Sequence, residues 1–342
     1  DLVGIFGVAC ALMWSSYQQQ LDARQTAVRQ TVEVAHATVN GQAINADLRG
    51  LLDHEGVLSM DVDWAASGPF GVGGVEIAGA AHGAGKVSGS VITPRADLTA
   101  DLTSIDAGRL LVKPARLLLT FIKADHEVDG AVAVEGPSNF GPASAKAAFR
   151  FTEGGFEMHD IAADAGGLKV SGALTLKDGV ATSADLQVAA TTGAFLTSGR
   201  VTGAVRLTGQ GDQASAVVAL DGINVQLPGM AGVVRKVKLN ARGPLERLPF
   251  DVLADSNDPV SWKFQGNGLF THPSRPEITL SGSGRVRRAD FRLLEPATIR
   301  WGETDHALRA HASISGGEVE IDGEAVGDRL DGHARLSRVN LQ

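Results

Sequence analysis

Asp61 and Asp63 stand two residues apart, His306 and His311 five, and Arg287, Arg288 and Arg292 crowd one short run of the 342-residue chain. These are the places where residue type and spacing could do chemistry. A carboxylate pair can serve acid–base work or hold Ca²⁺. Here no EF-hand glycine and glutamate follow, and Met60 and Val62 alternate with the aspartates, so the pair reads as the wet face of an amphipathic strand. A spacing of five puts His306 and His311 on opposite faces of a strand, which suits solvated histidines rather than metal ligands. The arginine cluster has the charge to meet phosphate head groups at the rim of a groove; ordinary surface charge is the plainer reading. HExxH, Gly-x-Ser-x-Gly and GxxxxGK[ST] are all missing from the sequence. The expectation is a protein with no catalytic residues, metal or cofactor, and not an enzyme.

What the chain offers instead is apolar surface laid out with a period of two. In GGLKVSGALTLKDG, from Gly166 to Gly179, Leu168, Val170, Leu174 and Leu176 share one parity, while Lys169, Ser171, Thr175 and Lys177 share the other. Side chains alternate across a strand, so one face is oily and the other wet. The unit apolar-x-Gly-x-apolar-x-apolar recurs from Val128 to Val134, Val170 to Leu176, Val201 to Leu207 and Leu330 to Leu336. In each copy the glycine faces the oily side, where it leaves room for a bend or for something close against the backbone. Turn signals such as GPSNFGP, GQGD and THPSRP separate the copies. Strands plus turns at roughly 8–12-residue spacing imply on the order of 20 strands between residues 57 and 342. Arg116 to Ile122, a nearly unbroken apolar run after Pro114, reads as a strand buried on both faces.

Two architectures satisfy this pattern. Two sheets can bury their oily faces in each other as a sandwich, or one long curved antiparallel, solenoid-like sheet can stay partly open as a trough. Repetition without fixed length, inward glycines and an aromatic content of 5% favour the trough. The net charge is −8 and Lys and Arg are scattered along the sequence, without the basic stripe and interleaved aromatics that nucleic acid would want. Cys10 is the only cysteine, so no disulfide forms within one chain.

The N-terminal region differs. Leu2 to Trp14 has no polar side chain, and Trp14 and Tyr17 stand where amphipathic rings meet a membrane interface. Residues 1–20 therefore read as a truncated membrane-anchor helix, with a signal-peptide core as the competing reading. Residues 21–56 read as a membrane-proximal helix and linker, because Leu21, Val28, Val32, Ala35 and Val39 fall on one helical stripe. The stretch LDARQTAVRQTVEVAHATV resembles the first helix after the anchor in chemoreceptors of the Cache type.

From about Leu58 onward the Val-x-Gly units resemble the TamB branch of the AsmA-like proteins of Gram-negative envelopes. LNARGPLERLPFDV (239–252), WKFQGNG (262–268) and ITLSGSGRVRRADFRLLEPATIRWG (278–302) carry the same resemblance. The resemblance implies a mainly β protein forming a β-taco trough, held by one pass in the inner membrane with its bulk in the periplasm. It further implies conduction of phospholipids between the inner and outer membranes, and an outer-membrane barrel assembly protein as partner. The groove lining is then expected at Val128, Val132, Val134, Val170, Leu174 and Leu176, and at Val201, Val205, Leu207, Val237, Leu239 and Leu336. Plain core packing is the competing role for each. A membrane-anchored sensor or binding module with closed β domains is the alternative function. A β-solenoid enzyme acting on polysaccharide stands third, lacking clustered carboxylates and exposed aromatics.

Overall fold

A computed structural model describes residues 33–40, 44–67, 70–72, 75–124, 127–152, 155–177, 180–230, 232–271, 276–301, 305–326 and 329–338. The protein is mainly β and antiparallel throughout its named strand pairs. The chain divides into two units, Asp1–Gly166 and Gly167–Gln342.

In the first unit the strands are β1 (Glu33–Asn40), β2 (Ile44–Leu52), β3 (Val57–Ser67), β4 (Phe70–Val72), β5 (Val75–Ser90) and β6 (Pro94–Ala107). They continue with β7 (Leu110–Val112), β8 (Ala115–Ala124), β9 (Glu127–Ser138), β10 (Gly141–Thr152) and β11 (Gly155–Ala165). Each pairs with its neighbour in the sequence, and the short β4 and β7 extend the ladders on β5 and β6 beside β3 and β8. Local chemistry sets the turns. Between β2 and β3 the Asp53 carboxylate accepts the backbone N–H groups of Glu55 and Val57 at 2.9 and 2.8 Å. Between β5 and β6 the Ser90 hydroxyl accepts the N–H of Thr93 at 3.0 Å. Pro114 separates β7 from β8. The inward parity is well covered: Val62, Ala96, Ala100, Leu117 and Leu119 are 2–6% exposed. Burial of a whole Val or Leu is worth about 1.5–3 kcal/mol, so this face is the first unit's core.

The second unit contains β12 (Leu168–Lys177), β13 (Val180–Thr191), β14 (Ser198–Thr208), β15 (Ser215–Gln226), β16 (Val234–Pro244), β17 (Arg247–Ser256) and β18 (Trp262–Thr271). It continues with β19 (Glu277–Val286), β20 (Ala289–Leu293), β21 (Ala297–Trp301), β22 (Asp305–Ile314), β23 (Gly317–Val326) and β24 (Arg329–Ser337). This is again a nearest-neighbour meander, in which β20 and β21 lie end to end between β19 and β22. The strands β14–β16 change phase together. Gly199 (φ 91°) and Asn224 (φ 53°) adopt left-handed backbone, the second at a residue type that tolerates it. As a result Ile223 and Asn224 are both exposed while Gly222 and Val225 are both buried, and Arg235 and Lys236 are both exposed beside half-buried Val234 and Val237. The phase change returns the apolar residues to one side after the bend.

Two sequence expectations are corrected here. Glu33–Asn40 is a strand, not the end of a helix: it pairs with β2 so that Ala35, Ala37 and Val39 stand opposite Gly50, Leu48 and Ala46. The helical stripe and the period-two alternation coincide at Ala35 and Val39, and the available partner strand decides between them. The anchor region, residues 1–20, and the start of the proposed helix lie outside the described residues; β2 also takes the place of the expected linker. Arg116 to Ile122 lies within β8 but is buried on one face only, since Leu118 and Ile122 are 38% and 43% exposed. A short apolar run cannot tell one covered face from two. Among the described residues no helix is long and apolar enough to cross a membrane.

Candidate functional site

Eleven of the twelve expected lining residues fall into two ladders, and Leu336 lies apart from both on β24. Val128, Val132 and Val134 lie on β9, with Val132 and Val134 opposite Leu119 and Leu117 of β8, and Val132 opposite Ala147 of β10. All three are half-buried, but the neighbours Leu117, Leu119, Ala147 and Phe149 are buried, so this ladder belongs to a covered face.

In the second unit the ladder runs strand to strand without interruption. Val170 stands opposite Val188, Val188 opposite Gly203, and Gly203 opposite Leu220. Leu220 then meets Leu239, Leu239 meets Val252, and Val252 meets Gly266. Val205 lies between Leu186 and Val218, and Leu174 faces Ala184 across from Leu207. Leu176 follows a bulge at Thr175 and pairs with Ala181. At mid-strand these apolar side chains are half-buried rather than covered: Val170, Leu174, Leu186, Val205, Leu220, Leu239 and Val252 all remain partly open.

The margins are different. On one side the β13–β14 connection folds over, with Ala194 and Leu196 at 1% and 3% exposure. Leu196 packs with Ala190 and Val225, and Val201, Val234 and Val237 pack against them. On the other side Ala216, Ala241 and Leu248 form a buried cluster that Leu207, Leu239, Leu245 and Phe270 flank. The first margin is tied down by Ser256, 1% exposed, whose hydroxyl donates to the Val233 carbonyl and accepts the Asp258 N–H at 3.1 Å. Val201, Val237 and Leu207 thus serve the margins, Leu239 links the floor to the second margin, and Val170, Leu174, Leu176 and Val205 stand on the more open floor. Leu336 is 58% exposed on β24, where every described residue from Asp331 to Arg338 is exposed.

From Gly130 to Gly284 the inward glycines do not leave the vacancies that their spacing suggests, whereas Gly323 and Gly332 meet no atom closer than 3.3 Å. A methyl group at Gly268 would strike the Phe250 ring and the Thr279 carbonyl, and one at Gly130 would strike Phe149. Rings from the neighbouring strand fill the space over these glycines, as aromatic side chains do over strand glycines elsewhere. Phe264 covers Gly266 and Gly282, Phe291 covers Gly284, and the two rings stack at 6.1 Å with a 10° interplanar angle. Phe149, Phe151 and Phe156 form a similar group in the first unit, with centroids 4.5–6.1 Å apart. These phenylalanines are the site residues that periodicity did not single out. The usable signal was Phe two residues from, or opposite, an inward Gly; the low total of aromatics hid their concentration on one face.

Polar groups take the opposite face. Asp61 is flanked by Arg49 and Lys86 across the strands, as an outward aspartate would be. His306 and His311 do lie on opposite parities of β22, and His311 sits 3.6 Å from Glu318. No cluster of three or more His, Cys, Asp or Glu among the described residues could hold a metal ion. Arg287 and Arg288 occupy the β19–β20 turn, and only Arg292 turns onto the polar face of β20. Arg285 donates to Asp290 at 2.6 Å, and that hydrogen bond holds the Asp290 carboxyl below its ordinary value. Comparison with protein-family models and with curated proteins finds no match to this chain.

Proposed function

We propose that this protein is a lipid-conducting β trough of the TamB/AsmA-like kind, anchored in the inner membrane, with its bulk in the periplasm. On this reading it passes phospholipids between the inner and outer membranes along its apolar face and supports outer-membrane assembly, with an outer-membrane barrel assembly protein as partner. The observation that carries the reading is the row of half-buried apolar side chains across β12–β18 between two closed margins. An acyl chain exposed to water costs about 0.8 kcal/mol for each CH₂. The partly open floor would replace that water with Val and Leu contacts, and the charged head group would stay hydrated. Such contact has no preferred direction, so a chain could slide from strand to strand without breaking hydrogen bonds. At β18 and β19 the Phe rings over Gly266, Gly268 and Gly282 keep the floor shallow and even, which suits a hydrocarbon tail better than a knobbed surface.

A photocrosslinking residue placed at Val170 or Val205 in the membrane-expressed chain is expected to capture phospholipid, and the same residue at outward Arg206 to capture none. Absence of lipid adducts at both inward positions overturns the reading. A second reading, a binding module with closed β domains, is favoured in the first unit by the tight burial of Val62, Leu117 and Leu119. It predicts that inward positions of both units stay lipid-free in the same experiment.

A further inference from the structure

The polar face of β16–β20 carries a concavity of its own, on the wet side of the strands and independent of any role for the apolar ladder. Cross-strand register aligns Lys236, Asp255, Lys263, Arg285 and Asp290 in one outward row. Lys238, Leu253, Gln265, Ser283 and Arg292 fall in the row beside it, with Leu253 its one apolar member. The two rows line a groove of about 740 Å³.

The carboxylates in and around it are already engaged. Asp255 is held by Arg235 at 2.7 Å, Asp290 by Arg285 at 2.6 Å, and Asp221 lies 3.7 Å from Lys238. Lys236, Lys263 and Arg292 are exposed, and among the described residues none of them has a carboxylate within ion-pair distance. At a strand spacing of ~4.8 Å, Lys236 and Lys263 stand about 10 Å apart, and Arg292 about 12 Å from Lys263. Lys supplies a point charge, and Arg a planar fork that matches phosphate. Between them Gln265 and Ser283 offer neutral donors and acceptors suited to hydroxyl groups. A concave groove suits a compact ligand better than a flat bilayer. Phe264 and Phe291 border the groove between the two rows, but their rings lie over glycines on the apolar face, so the groove lacks the stacking platform that single-stranded nucleic acid uses.

We infer that this groove binds a compact phosphorylated sugar or cyclitol whose phosphates are set about 10 Å apart across it, either free or as the head of a lipid.

The test uses the full chain and titrates it with inositol 1,4,5-trisphosphate, with inositol 1-phosphate, and with phosphatidylcholine vesicles carrying phosphatidylinositol 4,5-bisphosphate. The trisphosphate is expected to bind at least tenfold more tightly than the monophosphate. Lys263→Gln and Arg292→Gln should each weaken it about tenfold, the loss of one charge-assisted contact. Lys177→Gln, outward on distant β12, should change nothing. All these side chains are exposed, and unchanged thermal melting of the variants checks that the fold is kept. Binding by the vesicles alone, with the same dependence on Lys263 and Arg292, supports the same chemistry in lipid-borne form. Four results overturn the inference: no binding to any probe, equal affinity for the two inositol phosphates, insensitivity to both substitutions, or equally tight binding of a DNA oligonucleotide through the same residues.

Discussion

The openness of the apolar floor in the second unit can be tested by placing an amide on it. Val205 is half-buried at mid-strand on β14, whereas Leu119 on β8 is 4% exposed. Val205→Asn forfeits about 1 kcal/mol, half the value of a fully buried Val, and the amide finds water at the open side. Leu119→Asn forfeits roughly 2–3 kcal/mol of burial and leaves an amide without partners, which adds about 1–3 kcal/mol. The expected difference is therefore about 2–5 kcal/mol between two substitutions that look alike in sequence. The chain has two units, so a single unfolding midpoint is not a sound measure of either. Native-state hydrogen exchange, read on peptides from β8–β9 and from β14–β15, reports each unit separately. Val205→Asn should lower protection in β14–β15 by only about fivefold, and Leu119→Asn should lower protection in β8–β9 by about a hundredfold or more. Equal losses at the two sites would mean that the floor beside Val205 is as dry as the core at Leu119. The proposed trough would then be closed, and no acyl chain could lie along it.

Leu196→Ala removes the side chain that closes one margin, and a cavity-forming change of this kind should cost about 2–5 kcal/mol, read as lost exchange protection in β13–β15. Gly268→Val forces the Phe250 ring off its seat and presses on the Thr279 carbonyl; a cost of about 1–3 kcal/mol is expected from overpacking, read as lost exchange protection in β17–β19. Asp290 should titrate below an ordinary aspartate by NMR, and Arg285→Gln should return it upward. Because its folded-state pKa is lowered, the pair's contribution is present above the unfolded carboxylate's pKa and is lost as pH falls through the folded value. A normal Asp290 titration in the unaltered protein would refute the pairing.

Much of the strand pattern was legible because side-chain alternation is a property of the backbone itself. Any run such as Leu168–Lys177, with Leu, Val and Gly on one parity and Lys, Ser and Thr on the other, declares two faces before it meets a partner. The Val-x-Gly units accordingly fall on strands β9, β12, β14 and β24. The same local signal failed where two periods overlapped, at Glu33–Asn40, and where it could not count covers, at β8. Glycine parity was readable, but its use was not: whether an inward Gly leaves a gap depends on a ring from the next strand, as at Gly268 beneath Phe250.

Sequence alone determined that the chain would make many short amphipathic strands with an oily and a wet side, since that follows from residue order at a spacing of two. Tertiary structure decided which oily side chains are covered and which stay half open, because cover comes from residues far along the chain, such as Leu196 over Val225. It also decided the basic groove. Lys236, Lys263 and Arg292 are scattered in sequence, and only the antiparallel register of successive strands, set by hydrogen bonds between distant backbones, brings their charges onto one surface.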